Sequence, residues 1–501
     1  MHTLVDHALT QPPTDDERAL YMRGLLALRN GDAEEAASLL TRALRWQPTH
    51  RGMRRNLVRA LLAAEHYEQV LHQANAALAG TPDDGELHFA RATALNALGM
   101  HTKACAAFAR AVALRPDHAA SWLNMGNASA DLDDLGAAET LCRTAIRLDP
   151  QLAEAHASLG HILTLLSQLP EAIAACETAI RLRPDFAQAH WNLAIALLLS
   201  GDLRRGFTEY EWRKRHERYR ADFPDLPGPR WDGGDANGQT ILLRAEQGFG
   251  DGIQFARYLP SIRDAGGNPV VVCAPSLVPL MRSIPGVRAV AASGMLPPYD
   301  AWMDQISLPR LFGTTLDSIP GPGGYLSADP VRIRTWDGRL PAGRRVGIAL
   351  AGNPKHPAER RRSVPADFAV ALPGSPGLSF INLGHGQSAA RLGLPDLTQW
   401  MTDYAETAAL IANLDLVVTV DTSVAHLAGA LGKPAWILLP HAPDWRWMLG
   451  RTDSPWYRSV RLFRQPSPGD WGSVLTRVMA ELGERCADGG AGFHTQIEAP
   501  A

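Results

Sequence analysis

Cysteine, net charge and long apolar runs are all scarce in this sequence. The five cysteines among 501 residues are scattered and form no CxxC pair, so the sequence indicates neither a disulfide framework nor a zinc site. No stretch reaches the about 18 apolar residues of a membrane-spanning helix, and the first residues lack the basic start and apolar run of a secretory signal. We therefore expect a cytoplasmic protein with reduced thiols.

The charges of the chain nearly cancel, with 49 basic and 52 acidic side chains and a formal net charge of -3. Binding to nucleic acid or to a membrane surface needs a broad positive face, so neither partner is indicated. The length exceeds what one hydrophobic core usually organises, which favours two or three domains.

What the sequence does contain is a strict internal period. Prolines recur every 34 residues, at Pro48, Pro82, Pro116, Pro150 and Pro184. Small residues keep the same register, at Ala43, Ala77, Ala111, Ala145 and Ala179. This is the tetratricopeptide pattern, in which each unit is a helical hairpin and consecutive units stack into a solenoid with a concave groove. Cys142 and Cys176 occupy equivalent positions of successive units, which favours packing over reactivity.

The periodic region is predicted to cover residues 15–220, with five clear repeats and a degenerate sixth. The sixth begins at about Ala187, and Arg213 and Arg218 stand where earlier repeats have alanine and proline. The segment that follows is polar on one face and aromatic on the other, as expected of a capping helix that meets another domain.

Asparagines in the array suggest a second role for the groove. Asn56, Asn124 and Asn192 occupy one position of the repeat, with Ser158 between them. An asparagine side chain can donate to and accept from a peptide backbone, so the three residues could hold an extended acceptor chain. In this respect the array resembles the repeat array of O-GlcNAc transferase. The alternative is that they are ordinary solvent-facing polar residues.

After a Pro- and Gly-rich linker at residues 221–237, short apolar strands alternate with helices, which predicts a parallel α/β organisation. The predicted strands are Ile241 to Ala245, Pro269 to Ala274, Arg345 to Ala351, Leu378 to Leu383, Asp415 to Val420 and Pro434 to Pro440. A break near residues 320–343 separates two Rossmann-like domains, at 238–335 and 340–485. The last residues, 487–501, are expected to be a disordered tail.

A glycine-rich turn follows the first of these strands. It contains Gly248, Gly250 and Asp251, and it opens a helix. Glycines permit close approach of the backbone to a ligand, and free amides at a helix start favour an anion or an oxygen-rich group. Asp251 is the titratable residue of this turn. The alternative is that Asp251 only caps the helix.

A second motif, VTVDTSVAHLAGALGKP, combines a buried strand with a polar turn and an apolar helix. The amides and hydroxyls of Thr422 and Ser423 at the helix start suit a diphosphate, and Asp421 precedes them. His426 lies within the helix. A single buried histidine is more often a satisfied core residue than a catalyst, so we assign it a donor-site or structural role and not that of the base.

Basic residues cluster after the first strand of the second Rossmann-like domain. Arg360, Arg361 and Arg362 lie close to Lys355, and Asn353 precedes them in the same turn. These cations could neutralise a leaving diphosphate in place of a metal ion, so no metal or other cofactor is predicted. A solvated charged face is the alternative.

An aromatic segment lies near the C-terminus of the second domain. It concentrates Trp445, Trp447, Trp456 and Tyr457 beside Arg446 and Arg451, and Asp444 opens it. Asp444 and Trp445 are candidate contacts to the donor or its sugar. Packing of the aromatic rings in the core is the alternative.

With these motifs in this order, residues 238–480 resemble the heptosyltransferase-type glycosyltransferases of family 9. Repeats joined to such a module resemble the bacterial O-GlcNAc-transferase-like proteins. The resemblance implies an α-solenoid followed by a GT-B fold of two Rossmann-like domains. It also implies metal-independent transfer with inversion, in which a nucleotide-sugar donor is held mainly by the C-terminal domain.

The same resemblance implies roles for particular residues. Asp251 occupies the position of the catalytic base, and Gly248 and Gly250 belong to the same motif. Four residues match the motif that binds the donor pyrophosphate, namely Asp421, Thr422, Ser423 and His426. The sequence departs from the family at two positions, because Arg362 stands in place of a lysine and Ser423 in place of a glycine.

The interpretation of the whole sequence is a glycosyltransferase of hexosyl, N-acetylglucosaminyl or heptosyl type. Its partners would be a nucleotide-sugar and a protein or glycan acceptor presented by the repeat groove. The alternative is a non-catalytic repeat scaffold for protein–protein interaction that retains a relic transferase domain.

Overall fold

The computed structural model describes residues 15–216, 224–293, 295–321, 323–354, 359–365, 367, 377–384 and 393–487. The chain forms two compact units, Met1–Asn192 and Leu193–Ala501. The division falls inside a helix that begins at Ala187, so the last helical segments of the repeat pattern belong to the second unit.

Consecutive helical hairpins form the described N-terminal part of the chain. Their helices are α1 Asp15–Asn30, α2 Ala33–Trp46, α3 Arg51–Ala63, α4 Tyr67–Leu78, α5 Gly85–Ala97, α6 His101–Leu114, α7 Ala119–Asp131, α8 Leu135–Leu148, α9 Ala153–Leu165, α10 Leu169–Leu182, α11 Ala187–Ser200 and α12 Leu203–Tyr210. From α3 onwards, equivalent helices begin 34 residues apart. The prediction of a tetratricopeptide solenoid is confirmed.

The periodic prolines lie between hairpins, and each has its carbonyl bound by a side chain six residues later. Proline lacks an amide donor, so it favours the end of the preceding helix. The donors of these hydrogen bonds are Arg54, His88, Trp122, His156 and His190. The side chain at this repeat position therefore fixes the turn that joins one hairpin to the next.

Small residues let the helices of a hairpin approach closely. The residues Ala36, Val70, Ala104, Ala138 and Ala172 are fully buried. A Cβ atom at Gly126 would lie 2.9 Å from Cys142 Sγ, and one at Gly160 only 2.3 Å from Cys176 Sγ. Burial raises the pKa of both thiols to about 12. These cysteines therefore fill the space that the glycines leave.

The described part of the second unit contains two parallel sheets. The first has strand order β3-β2-β1-β4, with β1 Thr240–Arg244, β2 Asn268–Cys273, β3 Arg288–Ala291 and β4 Ala301–Asp304. The second has strand order β6-β5-β7-β8-β9, with β5 Arg344–Ala349, β6 Leu378–Asn382, β7 Leu416–Val420, β8 Ala435–Leu439 and β9 Val460–Arg464. The predicted α/β organisation is confirmed, and the sequence prediction missed β3, β4 and β9.

Helices connect these strands. They are α13 Phe249–Phe255, α14 Leu259–Asp264, α15 Val278–Met281, α16 Leu308–Leu311, α17 Pro330–Asp337, α18 Glu359–Arg362, α19 Tyr404–Ala412, α20 Ser423–Ala430 and α21 Trp471–Ala487. Single 3-10 turns cover Glu211–Lys214, Ala256–Tyr258, Pro275–Leu277, Gln305–Ser307, Leu316–Ser318, Thr398–Trp400 and Trp445–Trp447. In the described residues, no helix combines the length and apolar character that crossing a membrane requires.

The core of the second sheet explains its parallel order. Every residue of β7 and β8 is buried, as expected of strands that are covered on both faces. Val474, Val478 and Leu482 of α21 pack in one cluster with the strand residues Val418 and Trp436. The strand order reverses between β5 and β7, and in open α/β sheets such a point, at the carboxyl ends of the strands, is where ligands bind.

Candidate functional site

The two helices that follow β1 and β7 approach each other at their first turns. Gly250 lies in the first turn of α13, and a Cβ atom there would be 2.7 Å from Cδ2 of His426 in α20. Glycine is therefore required at this position for the two helices to pack as they do. The structure thus brings together the first and second sequence motifs, although about 170 residues separate them in the chain.

Both carboxylate oxygens of Asp251 are bound. Its Oδ2 accepts a hydrogen bond from the Gly248 amide at 2.8 Å, and its Oδ1 pairs with the guanidinium of Arg446. Burial raises the pKa of Asp251 above its usual value, against the opposing effects of Arg446 and the Gly248 amide. Asp251 therefore caps α13, as the alternative interpretation proposed, and the Gly248 amide and Arg446 together fix the orientation of its carboxylate.

Arg446 links side chains that follow strands of both sheets. Its Nε donates to Gln254 Oε1 at 2.6 Å, its Nη1 donates to Asp444 Oδ1 at 2.9 Å, and its Nη2 pairs with Asp251. Burial lowers the pKa of Arg446, but the carboxylates of Asp444 and Asp251 raise it by a larger amount. The pKa of Arg446 therefore lies above its usual value. Sequence reasoning treated this arginine only as part of an aromatic segment and missed its central position.

Asp421 directly follows β7, where the charge of a second carboxylate, Asp444, acts on it. Burial raises its pKa to about 6, and the negative charge of Asp444 adds to the effect. The charges of Arg446 and Arg362 act in the opposite direction. A carboxyl group that titrates near neutral pH can both donate and accept hydrogen bonds, which suits recognition of sugar hydroxyl groups.

His426 is buried and held in a fixed orientation. Its Nδ1 lies 2.9 Å from the Tyr457 hydroxyl, and its ring stacks on Trp447 with centroids 5.4 Å apart. Burial lowers the pKa of His426 well below its usual value, and the charges of Arg446 and nearby arginines add to this. A neutral, packed imidazole agrees with a structural role, and a contact of His426 with the donor stays a prediction.

Thr422 and Ser423 form the start of α20. Thr422 has an extended backbone and its hydroxyl lies 3.1 Å from the Thr419 hydroxyl. The Ser423 hydroxyl accepts a hydrogen bond from the Tyr404 hydroxyl at 2.8 Å. The first amides of this helix are therefore next to Asp421, where the helix dipole favours a negative group.

Arg362 is the last residue of α18, the helix that comes after β5 in the chain. Its Nε donates to Glu359 Oε2 at 2.7 Å, and Glu359 also accepts the Gly352 amide at 2.6 Å. A Cβ atom at Gly352 would lie only 2.4 Å from Arg362 Nη2, so this glycine leaves room for the guanidinium. Glu359 was not among the predicted residues, and it orients the arginine.

The other basic-cluster residues differ in exposure. Asn353 is exposed and Arg361 is half-buried. Lys355 lies outside the described residues. The role of these three residues in donor binding stays a prediction.

The aromatic segment is mainly core. Trp445, Trp447, Trp456 and Tyr457 are all buried, and Trp445 meets Phe207 edge-on with centroids 5.6 Å apart. The packing alternative therefore describes these rings, and the contact of Trp445 with a donor stays a prediction. Asp444 is more exposed, because 35% of its side-chain surface is accessible to solvent.

Two of the asparagines of the repeats bond within the array. Asn192 is buried, and its Nδ2 donates to the Ala157 carbonyl at 3.0 Å. The Nδ2 of Asn56 donates to the Tyr21 hydroxyl at 2.8 Å, and Asn124 is half-buried. Binding of an acceptor backbone by these residues stays a prediction, and Asn56 and Asn192 would have to exchange existing hydrogen bonds for it.

Comparison with known families gives matches in both the helical repeats and the α/β part of the chain. Tetratricopeptide-repeat models match residues 27–94, 101–153 and 160–201. The model of glycosyltransferase family 9 (heptosyltransferase) matches residues 401–439, which contain α19, β7, α20 and β8. The chain thus contains tetratricopeptide repeats, and part of its C-terminal region is similar to the glycosyltransferases of family 9.

A curated relative is similar to this chain over most of the length of both proteins. Protein FlbA of Caulobacter vibrioides is 28% identical over 493 residues, covering 92% of this chain and 77% of FlbA. Among solved structures, the repeats are similar to TTC0263, a tetratricopeptide-repeat protein of Thermus thermophilus, with 23% identity and a TM-score of 0.32 over 36% of this chain and 99% of TTC0263. YrrB, a repeat protein described as having an unusual peptide-binding site, has 16% identity and a TM-score of 0.30 over 36% of this chain and 94% of YrrB.

Proposed function

We propose that this protein transfers a sugar from a nucleotide-sugar donor to an acceptor, with inversion at the anomeric carbon and without a metal ion. The observation that carries the proposal is the meeting of α13 and α20 at Gly250 and His426. It packs the first turn of α13, which contains Asp251, against the first turn of α20, which begins after Thr422. A base on one side and a diphosphate site on the other are the two groups that an inverting transfer requires.

Asp251 acts as the base in this proposal. The acceptor hydroxyl gives its proton to Asp251 while its oxygen bonds to the anomeric carbon. The bond from that carbon to the phosphate oxygen breaks, and the nucleoside diphosphate departs with the electron pair. Burial supports this role, because a carboxylate with a raised pKa is a better proton acceptor than one in water.

The departing diphosphate is bound at the start of α20 in this proposal. The helix amides, the Thr422 hydroxyl and the guanidinium of Arg362 all offer donors to developing negative charge. The charge of Arg362 acts on both Asp421 and His426, which supports placing it near the start of α20. Arginine can supply the charge neutralisation that a metal ion provides in other transferases.

Acceptor binding is assigned to the repeats. Tetratricopeptide arrays are protein-binding modules, and stacked repeats offer an extended concave surface. A protein or glycan acceptor is proposed on this basis. The transferred sugar is proposed to be a hexose, N-acetylglucosamine or heptose.

The decisive experiment measures binding and turnover of UDP-, GDP- and ADP-sugars by the full chain in the presence of a metal chelator. The wild type is compared with Asp251→Asn and, as a matched control, with Asp264→Asn, which changes an exposed aspartate at the end of α14. We expect one donor class to bind all three proteins. Turnover should fall by about 100-fold or more in Asp251→Asn alone, the usual size of a general-base contribution.

Two results would contradict the proposal. If no sugar nucleotide binds the wild type, the protein is better explained as a repeat scaffold whose transferase domain is a relic. If a donor turns over equally in the wild type and in Asp251→Asn, the protein is a transferase but the base lies elsewhere.

A further inference from the structure

The loop that leads from β1 into α13 has a strained backbone next to Asp251. Gln247 has φ 61°, in the left-handed region that residues other than glycine rarely adopt. Gly248 follows directly, and its amide donates to Asp251 Oδ2. The orientation of Asp251 therefore depends on whatever holds this loop in its conformation.

Residues 203–214, which we call the anchor segment, hold the loop. They comprise α12 and the 3-10 turn that follows it. Arg213 is fully buried and donates to both oxygens of Glu246, at 2.8 and 2.6 Å. The Tyr210 hydroxyl donates to Gln247 Oε1 at 3.2 Å. Two consecutive residues of the loop are thus bound by the anchor segment.

The anchor segment is also connected to the other oxygen of Asp251, through Trp445 and Arg446. Phe207 meets the Trp445 ring edge-on, and Tyr210 contacts the same ring with centroids 6.2 Å apart. The guanidinium carbon of Arg446 lies 4.2 Å from the Trp445 ring centroid. Arg446 pairs with Asp251 Oδ1, and the Gly248 amide binds Oδ2. Each oxygen is therefore bound by a group that neighbours a residue in contact with the anchor segment, Trp445 for Arg446 and Gln247 for Gly248.

We propose that the anchor segment positions Asp251 and is a functional part of the sugar-transfer site. By sequence it is the last helical part of the repeat pattern, yet it lies in the same compact unit as the two sheets. Tyr210 and Phe207 are positioning residues in this proposal, because they act through Gln247 and Trp445. The proposal rests on the function proposed above.

The test is Tyr210→Phe in the full chain, which removes one hydroxyl and keeps the ring contacts with Trp445. We expect kcat to fall about tenfold with an unchanged KM for the donor, the effect of losing one hydrogen bond that orients the base. The acid limb of the pH–rate profile should also move. The control is Tyr299→Phe, which removes a hydroxyl that donates to the Pro227 carbonyl.

A second measurement decides the proposal independently of turnover. Hydrogen–deuterium exchange of the amides at residues 245–255 should be faster in Tyr210→Phe than in the wild type or in Tyr299→Phe. Unchanged exchange, or kcat and pH profile equal to those of the control, would overturn the positioning role. A wild type that turns over no nucleotide-sugar would count against the proposed function, and the exchange measurement would still decide on the anchor segment.

Discussion

Arg446 donates hydrogen bonds to Gln254 and Asp444 and pairs with Asp251, so one guanidinium serves side chains that follow strands of both sheets. Only a planar fork with several N–H groups can satisfy these partners together, and a lysine ammonium at the same place is a single point charge. Exchanging this arginine for lysine therefore keeps the positive charge and removes the hydrogen-bond geometry of the guanidinium.

We predict that Arg446→Lys raises the pKa that controls the acid limb of the pH–rate profile. Asp251 must be ionised to accept a proton, and loss of a hydrogen bond to its carboxylate makes ionisation harder. Activity would then be lost at a higher pH as the solution is acidified. The comparison is with Arg451→Lys, whose guanidinium pairs with the carboxylate of Asp453. Coincident profiles for both variants would show that Arg446 does not act on the base.

Asp421 gives a prediction about stability. Its pKa is raised to about 6 from 3.8, so folding favours the protonated form. The resulting stabilisation is complete below the unfolded pKa and is lost as pH rises through about 6, with a total of up to about 3 kcal/mol. Asp421→Asn lacks this titration. The free energy of unfolding of Asp421→Asn minus that of the wild type should therefore increase from pH 4 to pH 7.5.

Denaturant unfolding at several pH values checks this expectation, because the contributions of other groups cancel in the difference between the two proteins. A difference that stays constant with pH, or that moves in favour of the wild type, would contradict the raised pKa of Asp421.

At the scale of secondary-structure elements, the candidate site depends on the contact between α13 and α20. Their contact depends on the absence of a side chain at Gly250, and α20 in turn packs through Gly429, where a Cβ atom would lie 2.4 Å from the Tyr457 ring. Both contacts are with ring atoms that are themselves buried, so the neighbours have little freedom to move away.

We predict that Gly250→Ala separates the first turns of these helices. It should destabilise the protein by about 1–3 kcal/mol, the usual cost of overpacking, and reduce turnover more than donor binding. The matched control is Gly136→Ala in α8, where a Cβ atom meets nothing within 4 Å and alanine favours the helix. Thermal unfolding, donor titration and turnover assays of both variants test this. A Gly250→Ala protein as stable and active as the control would mean that the close contact is dispensable.

The elements also show how far the sequence could be interpreted. The repeats follow from local information, because their prolines and small residues recur at a fixed interval. The strands β3, β4 and β9 were missed because they are short or interrupted by arginines, as in Val460–Arg464. The pairing of Arg446 with Asp251 joins positions 195 residues apart, and no local period contains it. Long-range pairs of this kind depend on the packing of complete sheets.

For the whole molecule, the important fact is that the boundary between compact units does not coincide with the change from repeats to sheets. The second unit begins at Leu193 and includes α12 with the 3-10 turn at Glu211–Lys214. Arg213 and Glu246 form a fully buried ion pair within it, and removing one partner of such a pair is strongly destabilising, by about 3–5 kcal/mol.

We predict that a shortened chain starting at residue 187 folds cooperatively and binds the same donor as the full protein. A chain starting at residue 224 should be unstable, because it leaves Glu246 without Arg213 and exposes the aromatic residues that contact Phe207. Circular dichroism during heating and donor titration distinguish the two. Equal stability of both shortened chains would mean that the repeat-derived helices are dispensable for the sheets.

The buried cysteines give the molecule internal reporters of its own opening. Cys142 and Cys176 lie in the array and Cys273 in the first sheet, and burial raises the pKa of each thiol. A thiol reagent can modify such residues only while the surrounding structure is transiently open. Residue-resolved alkylation rates would therefore measure the breathing of the array and of the sheet separately, in an unaltered protein and under native conditions.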